Sequence, residues 1–353
     1  MNETYARINN FCLVALTAVA LTTALIYTKA VLLPFVIALF IYAAVTPALR
    51  FQSEKLKIPR NIAILITILF YFLLTGFLIF FVSNSLEQFI RSAGAYRDRL
   101  VDFIQWGTMK AESLGFQVDD RTVRDEIRNM PIFSWLRSFS GGILSFIGNA
   151  TLIFIFVLFL VYGDGGKSGN NRFVVEIQKK ISKYILTKSM TSVTTGILVG
   201  VLMLVTGVDL TFMFVVLTIL FNFIPSIGSI IATLLPIPVL LLQFGFTAPF
   251  YFVLIGSATI QFSIGNIIEP KIMGESMDLH PVVVLMFLIF WGLVWGIPGM
   301  FLAVPITAVL KIVMSRIETT KPIAELLAGR IPVFLSDDTN EEEVVNKENE
   351  NGL

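Results

Sequence analysis

The sequence of 353 residues is 56% hydrophobic and 14% charged, and its net charge is +1. Soluble domains carry about 25% charged residues, so the composition excludes an ordinary soluble protein, and the balanced charge excludes a basic nucleic-acid-binding surface. A single cysteine, Cys12, excludes an internal disulfide, and with a single histidine, His280, it excludes the usual clustered zinc sites.

Apolar windows long enough to cross a bilayer as a helix recur along the chain. They lack the alternating pattern of a membrane β-barrel, so we predict an all-α polytopic membrane protein with broken or re-entrant helices in its C-terminal half. The predicted spans, in chain order, are 11–28, 31–49, 61–83, 143–162, 189–207, 210–224, 228–244, 247–264, 282–297 and 299–315.

Basic residues are concentrated in two connecting segments, 50–60 and 163–188. Two predicted spans separate these segments, so both lie on one side of the membrane, and an excess of Lys and Arg in short loops indicates the cytoplasmic side. Counting spans from them places both chain termini in the cytoplasm and segment 84–140 outside. The tail from Ser336 is acidic and polar, which predicts disorder.

Segment 84–140 begins with a heptad pattern of apolar residues, which predicts a helical extracytoplasmic segment. Such a seam packs either within one subunit or between subunits. The segment has no other obvious core to join, so we predict a homo-oligomer. Its contacts would be Leu86, Phe89, Tyr96, Leu100 and Phe103.

Residues 172–188 are also amphipathic, with basic side chains on the face opposite the apolar one. This pattern is typical of a helix that lies on an anionic membrane surface, and a substrate gate is the alternative.

The first break in the C-terminal half is FNFIPSIGS, residues 221–229. Pro225 cannot donate a backbone hydrogen bond and Gly228 loosens the next turn, while Ser226 is a candidate N-cap, so a helix–break–helix is predicted. Broken helices in transporters bind solutes through the freed backbone groups, and Asn222 favours a polar cavity. A tight hairpin connector is the alternative.

The second break is GNIIEPKIMGESMDLHP, residues 265–281, which holds four of the five charged residues between Ser189 and Leu310. Pro270 is expected to push Glu269 out of helical geometry and to leave an irregular connector. Charged residues at membrane depth are expected to face water or a partner. We therefore predict that Glu269 carries a proton or cation and that Lys271 lies beside it. Asn266 and Gly274 belong to the same predicted solute or ion pathway. A solvated loop is the alternative.

The sequence contains no glycine-rich phosphate loop followed by lysine and no credible Ser–His–acid constellation. We therefore predict that the chain is not an enzyme and uses no cofactor. The remaining class of function is the passage of a solute across the membrane.

The stretches FNFIPSIGSIIATLLPIPVLL, GNIIEPKIMG and LIFWGLVWGIPGMFLAVPITAVLKI resemble the C-terminal signature of the autoinducer-2 exporter family of bacterial permeases. LLPFVIALFIYAAVTPALRF is similar to the family's N-terminal pair of spans. The resemblance extends from Ile8 to about Pro322. The matching site positions are Pro225, Gly228, Asn266, Glu269, Pro270 and Gly274.

This resemblance implies a multi-pass protein of the bacterial inner membrane, with about eight transmembrane helices plus re-entrant elements. It also implies a ring-like oligomer such as a pentamer. Some members of the family export the quorum-sensing signal autoinducer-2, and others resemble sodium- or lithium-for-proton antiporters.

The leading hypothesis is therefore a secondary transporter that exports a small polar metabolite, with autoinducer-2 as the best single candidate. A cation/proton antiporter that uses Glu269 is the alternative, and a membrane scaffold or sensor without flux is a second one. The predicted partners are a small polar solute or a monovalent cation and proton, the lipid bilayer and further copies of the chain.

The sequence is accordingly divided into five predicted parts. They are an N-terminal three-span region (1–83), the extracytoplasmic segment (84–140), a fourth span with the basic amphipathic helix (141–188), a C-terminal transport region with broken helices (189–322) and an acidic cytoplasmic tail (323–353).

Overall fold

The computed structural model describes residues 3–113, 150–163, 172–273 and 277–330. Within these ranges the chain is helical and contains no strand. Five stretches are long and apolar enough to cross a membrane: Lys29–Lys55, Phe173–Thr206, Ile227–Phe244, Ala248–Met273 and Ile297–Met314. Shorter apolar helices accompany them. The predicted all-α polytopic membrane protein is confirmed.

The N-terminal part contains three helices and the described portion of a fourth. They are α1 (Glu3–Tyr27), α2 (Lys29–Arg50, extended by a π-helical turn over Phe51–Lys55), α3 (Arg60–Ser113) and α4 (Ala150–Gly163).

The C-terminal part contains nine helices in its described residues. They are α5 (Arg172–Thr206), α6 (Thr211–Phe221), α7 (Ile227–Leu234), α8 (Ile237–Phe244), α9 (Ala248–Phe262), α10 (Glu269–Met273), α11 (Pro281–Trp295), α12 (Ile297–Met314) and α13 (Lys321–Leu327).

Helix α3 has 54 residues and is therefore about 80 Å long. It includes the predicted span 61–83 and continues into the predicted outward segment, because the polar residues at 83–85 include neither proline nor glycine and so do not end a helix. The predicted oligomer contacts on α3 have helical backbone, but their side chains lie outside the described residues.

One sequence expectation about helix boundaries is wrong. The amphipathic segment 172–188 is not a separate surface helix, because α5 runs unbroken from Arg172 through the following span to Thr206. The predicted span 228–244 corresponds to the apolar stretch Ile227–Phe244, which is divided at Leu235 and Pro236 into two short helices, α7 and α8. Pro236 has no backbone N–H to continue the first helix, which explains the division.

The chain divides into two compact units, each built from separate stretches of sequence. The terminal unit comprises Met1–Leu33, Gly169–Tyr184 and Glu275–Leu353, and the central unit comprises Pro34–Ser168 and Ile185–Gly274, as far as these are described. The division of the sequence into five parts stays a prediction.

The central unit has an apolar core that joins α5, α6, α8 and α9. Its buried members are Val199, Met203, Val208, Leu210, Phe214, Val239, Leu240, Phe250 and Val253. Glycine permits close packing at two points of α5, since a Cβ atom at Gly196 would lie 2.4 Å from Ile219 of α6 and one at Gly200 would lie 2.5 Å from Val215. Large apolar side chains elsewhere on these helices are exposed, as expected of surfaces that face lipid.

Candidate functional site

A buried ion pair lies in the central unit, between α5 and α10. Lys188 Nζ is 2.5 Å from Glu269 Oε1, and the two side chains are only 7% and 16% exposed. The Thr191 hydroxyl is within hydrogen-bond reach of the Lys188 carbonyl oxygen (3.1 Å) and of Glu269 Oε2 (3.4 Å). Unpaired charges at membrane depth are costly, so each member of this pair makes the burial of the other possible.

A π-helical turn over Ser263–Ile268 places Glu269 beside α5. The Glu269 backbone N–H donates to the carbonyl of Ile264, five residues back, and the Asn266 side-chain amide donates to the carbonyl of Phe262 at 3.3 Å. Such turns insert one residue into a helix and are frequent at functional sites. The turn therefore joins α9 to α10 without a break and sets the direction in which Glu269 points.

The expectation that Pro270 forces Glu269 out of helical geometry is wrong. Glu269 has φ −59° and ψ −49°, which are helical values. Proline is excluded from a regular helix because its ring meets the carbonyl four residues back. The π-helical turn changes this hydrogen-bond pattern just before Pro270, so the residues from Ser263 to Met273 stay helical and do not form an irregular connector.

Helix α5 carries a buried polar face next to the ion pair. Thr191, Ser192 and Thr195 follow Lys188 at helical spacing and are 4%, 0% and 0% exposed. The Thr195 hydroxyl donates to the Thr191 carbonyl at 2.8 Å, whereas Ser192 Oγ has no hydrogen-bond partner in the described part of the chain. A polar stripe is thus buried between the basic first half of α5 and its apolar last turns.

Helix α9 carries two buried polar residues of its own, Ser257 and Gln261, which are 3% and 4% exposed. Ser257 Oγ and Gln261 Oε1 also lack a hydrogen-bond partner among the described residues. Burying a polar atom without a partner costs about 1–3 kcal/mol, so these three atoms on α5 and α9 require an explanation.

Helix α9 and its extension run antiparallel to α5. Lys188 meets Glu269 near one end, and at the other end a Cβ atom on Gly256 would lie 2.7 Å from the Leu202 side chain. The three orphan polar atoms described above all lie along the helices between these two contacts.

The helix break at 221–229 is confirmed, because α6 ends at Phe221 and α7 begins at Ile227. A Cβ atom at Gly228 would lie 1.7 Å from the Phe221 carbonyl oxygen, so glycine is required where the chain turns back. Ser226 occupies the N-cap position with φ 60°, but its side chain makes no capping hydrogen bond. Asn222 is buried and Pro225 is half-buried.

The structure divides the charged stretch 265–281 between the two units. Glu269 lies in the central unit and pairs with Lys188, while Lys271 is exposed. Glu269 and Lys271 do not pair with each other, since side chains two residues apart on a helix point in different directions. Asn266 and Pro270 are exposed, and Gly274 lies outside the described residues.

Asp278 belongs to the terminal unit, where two basic side chains hold it. Lys311 Nζ is 2.6 Å from Asp278 Oδ2 and also donates to its backbone carbonyl, and Arg330 Nη2 is 2.7 Å from Oδ2. Partial burial raises the pKa of Asp278, but the hydrogen bonds and positive charges of Lys311 and Arg330 outweigh it and leave the pKa below its ordinary value.

Lys188 is the residue of the site that sequence reasoning missed. It was counted among the basic residues of a surface helix, and its partner is 81 residues further along the chain. The available signal was its position at the start of an apolar window, followed by Thr191, Ser192 and Thr195 at helical spacing.

Known proteins match this chain over almost its whole length. Residues 12–164 and 167–319 match the profile of the AI-2E family transporters. A putative transport protein of Borreliella burgdorferi is 31% identical, over 85% of both chains, and one of Haemophilus influenzae is 29% identical, over 84% of this chain and 90% of its own. The AI-2 transport protein TqsA of Escherichia coli is 26% identical, over 86% of this chain and 90% of its own. The chain therefore belongs to the AI-2E family of transporters.

Proposed function

We propose that this chain is a secondary transporter of the bacterial inner membrane that exports a small polar solute, and that autoinducer-2 is that solute. The observation that carries the proposal is the buried Lys188–Glu269 pair beside a polar stripe inside an apolar unit. The similarity to the AI-2 transport protein of Escherichia coli supports the choice of solute. The basic segments 50–60 and 163–188 support cytoplasmic termini.

In this proposal the Lys188–Glu269 ion pair acts as a lock, which means that it holds together the helices around the buried polar residues. While Lys188 and Glu269 neutralise each other, α5 stays joined to α10 and the buried polar residues of α5 and α9 stay closed to water. Protonation of Glu269, or a solute group that hydrogen-bonds to it, would release Lys188 and let the helices separate. Transporters commonly place such pairs of ionisable groups on the substrate or proton pathway.

Flux through purified protein in liposomes tests the proposal. The expected result is movement of autoinducer-2 by the parental protein and loss of that movement in Glu269→Gln, with rates divided by the amount of folded protein. Glu87→Gln is the matched control, because its side chain is 59% exposed on α3. No flux of autoinducer-2 by the parental protein would refute the choice of solute, and equal flux in parent and Glu269→Gln would refute the lock.

A cation/proton antiporter is the second candidate, and the single buried carboxylate on α10 favours it. The same liposomes with a sodium or lithium gradient and an internal pH dye separate the two functions. Proton movement driven by the cation in the absence of autoinducer-2 would favour the antiporter. A protein that moves neither the cation nor the signal would instead be a scaffold or sensor.

A further inference from the structure

Three buried, uncharged side chains on α5 and α9 each have a polar atom that makes no hydrogen bond within the described part of the chain. Ser192 on α5 and Ser257 and Gln261 on α9 are each at least 96% buried. Ser192 Oγ, Ser257 Oγ and Gln261 Oε1 have no partner among the described residues. Buried polar groups are almost always satisfied, so these atoms call for a partner beyond the described residues, and a bound ligand would supply it.

The other buried hydroxyls nearby show that helices can satisfy such groups internally. The hydroxyl of Thr195 donates to the carbonyl of Thr191 at 2.8 Å, and that of Thr206 to the carbonyl of Leu202 at 2.9 Å. Ser192 and Ser257 could form the same bond to the preceding turn but do not. Their hydroxyls are available to a ligand.

We propose that Ser192, Ser257 and Gln261 form the binding surface for the transported solute and that it takes a neutral, hydroxyl-bearing molecule. This inference rests on the proposed transport function and adds the solute class and the residues that select it. Gln261 Oε1 only accepts hydrogen bonds, so the ligand must donate at least one, while serine hydroxyls both donate and accept. A polyhydroxylated solute meets these requirements.

The charges of residues 185–273 argue against a cation at this surface. Residues 185–273 contain two acidic side chains, Asp209 and Glu269, and two basic ones, Lys188 and Lys271. Glu269 is already neutralised by Lys188 at 2.5 Å, and Asp209 lies in the turn before α6, beyond Leu202. A monovalent cation held by three uncharged oxygens would remain uncompensated inside an apolar unit, whereas a neutral ligand carries no such cost.

The proposal predicts an unusual combination of stability and binding. Removing an orphan polar atom in favour of an apolar group of similar size relieves a desolvation cost, so the ligand-free protein should be equally or more stable. The same change should weaken solute binding, because a hydrogen bond in the complex is lost. A residue with only a structural role would show the opposite, a less stable protein with unchanged binding.

Thermal unfolding of the purified full chain in detergent tests this inference. The variants are Ser192→Ala, Ser257→Ala and Gln261→Met, and the probes are autoinducer-2, ribose and lithium chloride. We expect an unchanged or higher Tm without a probe, and about five- to tenfold weaker binding of the hydroxylated probe in each variant, read from the dependence of Tm on its concentration. Thr307→Val in α12 is the matched control, because its buried hydroxyl donates to the Ala303 carbonyl at 2.6 Å.

The outcomes separate this inference from the proposed function. Parental flux with an unchanged KM in all three variants overturns the binding surface and leaves transport standing. A Tm shift by the hydroxylated probe that the variants lose, without any flux in liposomes, supports the binding surface and refutes transport. A shift by lithium chloride alone, or no shift by any probe, overturns the inference, since the three atoms would then bind a cation or only water.

Discussion

A buried ion pair contributes little net stability but is costly to break, because removal of one partner leaves the other charge without compensation. Lys188 and Glu269 fit this case, since their side chains are 7% and 16% exposed. Their value to the protein is therefore expected to lie in specificity and switching, which is consistent with the lock proposed above.

The first prediction concerns this pair. Lys188→Met or Glu269→Met alone should lower the free energy of unfolding by about 3–5 kcal/mol, while the double variant should recover most of that loss. Denaturant or thermal unfolding in detergent, arranged as a double-mutant cycle, measures the coupling. Additive losses in the double variant would show that the two charges do not depend on each other.

The second prediction concerns Asp278 in the connector between α10 and α11. Its pKa is lower in the folded protein than the ordinary 3.8, despite partial burial, because Lys311 and Arg330 stabilise the carboxylate. The contact should therefore stabilise the fold at pH values above the ordinary pKa and lose its effect as the pH falls through the lowered one. Asp278→Asn should reduce Tm at neutral pH, and the difference from the parent should shrink on acidification. A difference that grows at acid pH would contradict this account.

At the scale of the helices, the turn between α6 and α7 depends on the glycine at position 228. A Cβ atom at Gly228 would lie 1.7 Å from the Phe221 carbonyl oxygen, and backbone atoms cannot move aside as a flexible side chain can. The third prediction is that Gly228→Ala destabilises the protein by about 1–3 kcal/mol, the usual cost of overpacking. Gly76→Ala is the control, because a Cβ atom there meets nothing within 4 Å inside α3 and should leave Tm equal or higher. Equal Tm values for the parent and Gly228→Ala would show that the turn relaxes.

The helices and breaks that could be predicted from sequence have strong local signals. Pro225 and Gly228 predicted the break between α6 and α7, and the structure confirms it. Pro270 led to a wrong prediction because a proline normally ends a helix. The π-helical turn that accommodates it has no established sequence pattern. The sequence prediction divided α5 at residue 188, where the composition changes from polar to apolar. Such a change does not end a helix.

The candidate site was only partly predictable because its members come from distant parts of the chain. Glu269 stood out as a charge in apolar surroundings. Its partner Lys188 did not, because the pairing depends on the antiparallel arrangement of α5 and α9. Ser192 and Gln261 were missed because an isolated polar residue in an apolar window gives no indication of whether it is buried or satisfied.

At the scale of the whole molecule, the predicted oligomer rests mainly on the sequence pattern of α3. From residue 84 to Ser113 the helix continues for about 30 residues, or roughly 45 Å, beyond the predicted span. Off the heptad seam, Glu87 and Arg91 are exposed and form an ion pair at 2.6 Å one helical turn apart. A polar outer face opposite an apolar seam is typical of a helix that packs against partners.

The last prediction is that this part of α3 holds the subunits together. Replacing Leu86, Phe89, Leu100 and Phe103 by Ser should shift the detergent-solubilised protein from an oligomer toward a monomer, because four apolar contacts per helix would be lost at the seam. The control is the pair Glu87→Ser and Arg91→Ser, which changes the exposed face and should leave the oligomer intact, since exposed pairs contribute little. Native mass measurement of the purified protein reports the subunit number. An oligomer that survives the seam variant would place the subunit contacts on other helices, and one that dissociates in the control variant would place them on the charged face of α3.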